Sequence, residues 1–161
     1  MDFFYPNFNN DFWRVMGLIH FRDAGHFVTP GRKAFDRERI ESFCLSRGYA
    51  FYDTACQVRR LKNNASDAFL EVLEAADVGA LLTAMPECRR IATTGSKASE
   101  EMLEIFRTAG AAEVAVPPAG EMSPVRAWGR QLEWWRMPST SRAYPLPLAQ
   151  KAEKYRKILI P

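Results

Sequence analysis

Short apolar runs alternate with stretches of helical periodicity along this chain, and this alternation constrains the fold more than any other feature. The apolar runs lie near residues 51, 92 and 134, and helical stretches separate them. Strands that alternate with helices form a mostly parallel sheet with helices on both faces. The sequence therefore predicts an α/β fold with three layers, α/β/α, around a short and mostly parallel sheet.

Apolar spacing, capping residues and helix-stopping residues predict the individual elements. Strands are expected at residues 49–52 and 91–94, and a hairpin at 125–128 and 132–137 with its turn at Gly129. Helices are expected from Asn10 or Asp11 to Ile19, at 36–47, at 69–76 with a cap near Asn64 or Ser66, from the cap Asp77 to 85, at 96–110 and at 148–159.

Composition excludes several classes of protein. With 161 residues, of which 47% are hydrophobic, the chain fits one globular domain, residues 1–161, and is not disordered. No apolar run approaches the roughly 18 residues of a membrane helix, and the first residues lack the pattern of a secretory signal. The three cysteines lack CxxC spacing and there are two histidines, so we expect neither a disulfide framework nor a metal site. These features favour a cytoplasmic protein with no membrane contact.

The net charge of +3 permits a polyanionic partner without requiring one. Basic residues form two groups, one just after the first predicted strand and one approaching the C-terminal loop. They are Arg59, Arg60 and Lys62 in the first group, and Arg126, Arg130, Arg136 and Arg142 in the second. A solvated basic face and a nucleic-acid-binding face explain this charge pattern equally well.

Polar turns follow the predicted strands at Asp53–Thr54, Gly95–Ser96 and residues 138–141. Ligands of open α/β sheets bind beyond the carboxyl ends of the strands. We therefore expect these three turns to meet at one edge of the sheet and to carry the chemistry of the protein.

Four segments at these turns match one known family in order and spacing. They are residues 5–17 (YPNFNNDFWRVMG), 48–60 (GYAFYDTACQVRR), 91–98 (IATTGSKA) and 137–144 (MPSTSRAY). The chain resembles the uracil-DNA glycosylase superfamily, most closely its branch related to hypoxanthine-DNA glycosylases. Members of that family begin with a strand and a first motif, which do not fit before Phe3 at about 5–6 residues for the strand plus its loop. The resemblance therefore implies the family fold with its first strand missing.

The resemblance implies a monofunctional DNA glycosylase of base-excision repair, which hydrolyses the N-glycosidic bond of uracil or hypoxanthine. Such an enzyme flips the damaged base out of the duplex before it cuts the bond to the sugar. No lysine occupies a matching motif position, so no Schiff-base step is expected, and no cofactor is implied. The expected partner is DNA containing a deaminated base, bound by a monomer.

The resemblance also assigns roles to residues. Asn10 would position the attacking water, although an N-cap on the first helix is an equally good explanation of this residue. The Ser139 hydroxyl would stabilise the negative charge that develops on the departing base. Base recognition falls to Tyr5, Asp53 and Thr140, and DNA binding to Arg59, Arg60, Arg136, Ser141, Arg142 and Tyr144. A helix cap before Thr54 explains Asp53 slightly better than base recognition does. Without the resemblance, residues 139–141 are better explained as an ordinary Ser/Thr turn.

Two other functions remain open. A catalytically inactive nucleic-acid-binding relative would keep the basic loop without the first motif. An unrelated flavodoxin-like nucleotide-binding domain would explain the α/β alternation if the four matching segments were coincidental.

Overall fold

The computed structural model of this protein describes residues 3–60 and 70–160, and gives the backbone alone for residues 57–60 and 70–73. The chain divides into two compact units: unit 1 is Met1–Tyr52 with Ser139–Pro161, and unit 2 is Asp53–Pro138. The elements are α1 (Phe12–Phe21), α2 (Arg37–Arg47), β1 (Ala55–Arg60), β2 (Leu70–Ala75), α3 (Val78–Ala84), β3 (Arg90–Thr94), α4 (Ser96–Thr108), β4 (Glu121–Ala127), β5 (Arg130–Met137) and α5 (Leu148–Leu159). The protein is therefore mixed α/β, while the single domain and the three layers stay predictions.

Unit 1 is built around helix α1, which packs against α5. The four apolar residues of α1 that follow the 3.6-residue period are all buried: Phe12, Val15, Met16 and Ile19. The ring of Phe12 meets that of Tyr155 edge to face at 6.1 Å between centroids. The helical period of the sequence thus correctly predicts both the helix and its buried side.

Three helix ends in the structure match their sequence signals. The Asp36 carboxylate accepts a hydrogen bond from the Arg39 amide at 3.1 Å and begins α2, and Gly48 ends that helix with φ of 68°. The Asp77 carboxylate accepts from the Ala80 amide at 2.9 Å and begins α3. Local chemistry decides these ends, because a cap satisfies amides within its own helix and a left-handed residue favours glycine.

The main sheet of unit 2 has three strands in the order β3–β5–β4. Strand β3 runs parallel to β5, with Ala92 opposite Trp135, and β4 pairs with β5 as an antiparallel hairpin. The hairpin turns at Gly129, whose φ is 70°. The predicted parallel pairing of the strands near 92 and 134 and the predicted hairpin are confirmed. The sheet is mixed rather than mostly parallel, because two of the three strand pairings among the described residues, β1–β2 and β4–β5, are antiparallel.

A buried chain of hydrogen bonds links this sheet to the start of α4. The Trp134 indole donates to Thr93 Oγ1 at 3.1 Å, and Ser99 Oγ donates to the Gly95 carbonyl at 2.8 Å. The two hydroxyls, of Thr93 and Ser99, are 2.9 Å apart. Because the Ser99 proton is already committed, the Thr93 hydroxyl donates to Ser99. The chain therefore runs in one direction, from Trp134 to Gly95, and fixes the turn after β3.

Two predicted elements are wrong. Residues 49–52 do not form a strand, and the Tyr52 side chain is exposed. The expected helix at 69–76 is instead strand β2, which pairs with β1 in antiparallel fashion, Val58 opposite Val72. Pairing with a neighbouring segment has overridden the helical spacing, as it does where packing and local preference conflict. The expected caps Asn64 and Ser66, and Lys62, lie outside the described residues.

Helix length bears on membrane contact. Within residues 3–60 and 70–160 no helix is long and apolar enough to cross a bilayer. The longest of those helices, α4, has 13 residues, whereas a bilayer requires about 20.

His20 makes the stability of unit 1 sensitive to pH. Burial lowers the pKa of its imidazole, and the cations Arg47 and Arg156 lower it further. The Tyr49 hydroxyl lies 3.2 Å from its Nε2 atom. As the pH falls below about 6.5, the His20 imidazole therefore becomes protonated in the unfolded chain before it does so in the folded one. The free energy of unfolding decreases over this range, until the pH passes the lower pKa of the folded state.

We expect His20→Gln to flatten the loss of unfolding free energy between pH 7.5 and 5, because the variant removes the group that is protonated preferentially in the unfolded chain. Urea unfolding at the two pH values measures this loss. Asn7→Ala, which changes an exposed side chain without a titratable group, is the control and should keep the pH dependence of the parent. An undiminished pH dependence in His20→Gln would contradict the role given to His20.

Candidate functional site

The loop at residues 139–144 is joined to the start of helix α1. The Asp11 amide donates to the Thr140 carbonyl at 2.9 Å. Asn10 and Ser141 form an isolated antiparallel bridge beside it. Two of the four segments that carry the family resemblance, at the two ends of the chain, thus meet within unit 1.

A cluster of three charged side chains lies at this junction. Lys151 Nζ donates to Asp11 Oδ2 at 3.0 Å and to the Ser141 carbonyl at 2.9 Å. Arg142 Nε donates to the other carboxylate oxygen, Asp11 Oδ1, at 3.2 Å. The Lys151 side chain is 0% exposed and that of Arg142 is 49% exposed. One carboxylate is therefore shared between a buried cation and a cation that reaches solvent.

A second arginine lies close to this cluster. The Arg14 guanidinium donates to the carbonyls of Phe8 and Asn10, at 2.8 and 3.1 Å. It also lies 4.3 Å from the centroid of the Phe8 ring, a cation–π distance. Burial lowers the pKa of Arg14 and the positive charge of Arg142 lowers it further, whereas Asp11 raises it. The region around Asp11 thus carries more positive than negative charge.

Hydroxyl groups shape the backbone of the loop. Ser139 Oγ accepts from the Ser141 amide, and Ser141 Oγ accepts from the Ala143 amide, both at 3.2 Å. These are the Ser/Thr turns that the sequence allows as the alternative to ligand binding. Thr140 is buried, with 2% of its surface exposed, whereas Tyr144 is exposed.

Asn10 has a definite structural role at the start of α1. Its Oδ1 atom accepts from the Phe12 amide at 2.9 Å, as expected for the capping alternative. An amide oxygen has two lone pairs, so one acceptor position remains for a water molecule. Its Nδ2 group has no hydrogen-bond partner among residues 3–60 and 70–160. Capping and water binding are therefore compatible at this residue.

Tyr5 belongs to an aromatic cluster in unit 1. Its backbone has φ of 55°, and its ring stacks on Phe12 with 4.2 Å between centroids and 13° between planes. Burial and the neighbouring Tyr5 raise the pKa of Tyr155 well above its ordinary value. One face of the Tyr5 ring is thus covered by Phe12.

The remaining expected site residues belong to unit 2. Asp53 is exposed and strand β1 begins at Ala55, so the alternative role of Asp53 as a helix cap is wrong. Arg59 and Arg60 lie within β1, and their side chains are outside the described set.

Arg136 lies beside the turn after β3. Its guanidinium donates to Ser96 Oγ at 3.1 Å and to the Pro117 carbonyl at 3.4 Å. The Gly95 amide donates to the Met137 carbonyl at 3.0 Å. Within unit 2 the ends of β3 and β5 are therefore neighbours, with Thr94 opposite Met137, whereas Asp53 does not follow a strand.

Sequence reasoning missed Lys151 as a site residue and considered Asp11 only as a helix cap. A signal was present, because Lys151 lies four residues before Tyr155 on the side of α5 that also buries Ala152 and Ile158. A lysine among apolar residues on one helical face indicates a buried cation, and a buried cation requires a carboxylate partner.

Comparisons with protein-family models, with curated proteins and with solved structures found no match to this chain. No group of three His, Cys, Asp or Glu side chains that could hold a metal ion occurs in the part of the chain that the structure describes.

Proposed function

We propose that the protein is a monofunctional DNA glycosylase that hydrolyses the N-glycosidic bond of a deaminated base, uracil or hypoxanthine, in DNA. The observation that supports this most is the junction of Asn10 with Ser141. A glycosylase must bring a water-positioning group and a loop that contacts DNA to one place. The two segments in which the resemblance assigns these roles are neighbours in unit 1.

In the proposal, the residues at the junction have different catalytic roles. Asn10 accepts a hydrogen bond from the attacking water while its other lone pair holds the Phe12 amide. The Ser139 hydroxyl stabilises the negative charge on the leaving base, and base recognition is proposed for Tyr5 in unit 1 and for Asp53 in unit 2. Thr140, with 2% of its surface exposed, does not reach a base in this conformation. A well-placed donor to a developing negative charge is worth roughly 2.7–4 kcal/mol of the barrier.

The charge around the loop suits a phosphate backbone. Arg142 is half exposed and Arg14 is close by, so the loop carries surplus positive charge. In the proposal, Ser141 contributes a further phosphate contact, and Tyr144, whose side chain is exposed, enters the duplex behind the flipped base. Arg59, Arg60 and Arg136, in unit 2, are further DNA-binding residues in the proposal. We further propose a three-layer α/β/α arrangement and a cytoplasmic monomer without a cofactor.

A catalytically inactive DNA-binding relative is the second candidate. It is favoured by the use of the Asn10 oxygen at the start of α1 and of the Ser139 and Ser141 hydroxyls in turns. These bonds alone explain why such residues occur here. DNA binding without base release is the property that separates this candidate from the enzyme.

Base release tests the proposal directly. We expect abasic product from DNA that contains uracil or hypoxanthine, and none from undamaged DNA of the same sequence. Alkali cleavage and gel separation measure the product in single-stranded and duplex substrates. DNA binding with no product from either lesion would contradict the enzyme and favour the inactive relative. Failure to bind DNA would overturn both candidates.

A further inference from the structure

Lys151 is a fully buried cation, and nothing in the packing of α5 requires a charge there. Its neighbours on the buried side of the helix, Ala152, Tyr155 and Ile158, are apolar or aromatic. Removing an ammonium group from water is costly, and an apolar side chain of similar size is often equally stable or more so. A lysine at this position is therefore better explained by what it holds than by stability.

Lys151 holds both sides of the junction between the loop and α1. One of its hydrogen bonds goes to the carboxylate of Asp11, beside the start of the helix, and the other to the backbone carbonyl of Ser141, within the loop. The Asp11 amide in turn donates to the Thr140 carbonyl. The position of the loop relative to Asn10 thus depends on a residue that cannot itself touch DNA.

The two cations that share Asp11 differ in their freedom to leave it. Lys151 is buried and has a second acceptor, whereas Arg142 is half exposed and approaches Asp11 through one hydrogen bond of 3.2 Å. When Arg142 leaves, Lys151 still balances the charge of Asp11. If Lys151 is absent, the partly buried carboxylate retains Arg142 as its counter-ion.

We propose that Lys151 is a positioning residue with two effects: it holds residues 139–142 against Asn10, and it neutralises Asp11 so that Arg142 can move to a DNA phosphate. The inference rests on the proposed function for the identity of the ligand. In this proposal, the strength of DNA binding by the loop depends on whether Lys151 or Arg142 balances the charge of Asp11.

Salt dependence of DNA binding tests the second effect. Each phosphate contact contributes about −0.9 to the slope of log affinity against log salt concentration. We expect the slope for Lys151→Met to be shallower by the contribution of about one phosphate contact, because Arg142 remains on Asp11. Lys157→Met, the matched control on the exposed side of α5, should keep the slope of the parent. Adding Arg142→Gln to Lys151→Met should not change the salt slope any further. Asp11→Asn should retain the full slope.

Hydrogen exchange tests the first effect without DNA. We expect Lys151→Met to speed exchange of the Asp11 amide at least about tenfold relative to the Tyr49 amide, which bonds the Cys44 carbonyl in the same unit. If Lys151→Met does not fold, the double variant Lys151→Met with Asp11→Asn leaves no unpaired buried charge. That variant should combine fast exchange of the amide at position 11 with the salt slope of the parent.

The outcomes separate this inference from the proposed function. An unchanged salt slope in Lys151→Met, or unchanged Asp11 exchange, overturns the inference even if the protein releases bases. The predicted changes without base release support the inference and overturn the enzyme. If the parent binds no DNA, the effect on Arg142 is overturned, and hydrogen exchange alone decides whether Lys151 positions the loop.

Discussion

Asp11→Ala is expected to lower the free energy of unfolding by about 3–5 kcal/mol, the range for removing one partner of a buried ion pair. The Lys151 ammonium has two acceptors in the structure, the Asp11 carboxylate and the Ser141 carbonyl. The variant leaves this ammonium buried with the Ser141 carbonyl alone. It also removes the acceptor of Arg142, a smaller loss because that side chain reaches solvent. Urea unfolding of parent and variant measures the difference.

Asp36→Ala provides the matched control for this measurement. It makes the same change at a carboxylate that caps α2, so a cost of about 1 kcal/mol is expected. Adding Lys151→Met to Asp11→Ala should recover part of the lost stability, because no unpaired charge then remains inside. A cost for Asp11→Ala no larger than that for Asp36→Ala would show that the buried pair does not determine the stability of unit 1.

Asn10→Ala is expected to slow base release on the order of a hundredfold, about 2.7 kcal/mol of transition-state stabilisation. The variant removes the oxygen that is proposed to hold the attacking water as well as the acceptor of the Phe12 amide. Loss of such a cap costs about 1 kcal/mol of stability, which leaves a stable domain folded. Single-turnover release by the folded variant, with DNA affinity measured alongside, gives the effect on chemistry.

Two further variants separate the catalytic role from the structural one. Asn10→Asp keeps a capping oxygen and should be nearly neutral for folding. Asn7→Ala removes a comparable local bond, from the Asn9 amide to Asn7 Oδ1 at 2.9 Å, at an exposed site where no chemistry is proposed. If Asn10→Ala stays within about twofold of the parent in rate and affinity, a margin of roughly 0.4 kcal/mol, Asn10 is a helix cap alone.

The sequence alone determines those elements whose stabilising contacts lie within a few residues of one another. The buried positions of α1, the caps Asp36 and Asp77 and the end of α2 at Gly48 follow from periodicity and local hydrogen bonding. The turn of the β4–β5 hairpin follows from a glycine with positive φ. The proximity of the carboxyl ends of β3 and β5 was also predictable, because the ends of parallel strands meet at one edge.

Tertiary structure alone decided the rest, because the energies involved come from partners distant in sequence. Residues 70–75 pair with β1 despite their helical spacing, since cross-strand hydrogen bonds outweigh a weak local preference. Asp11 and Lys151 are 140 residues apart, and each is explicable in isolation as a cap or as a surface charge. Only folding buries Lys151, and burial makes its pairing with Asp11 obligatory, because an isolated charge inside a protein costs far more than a paired one.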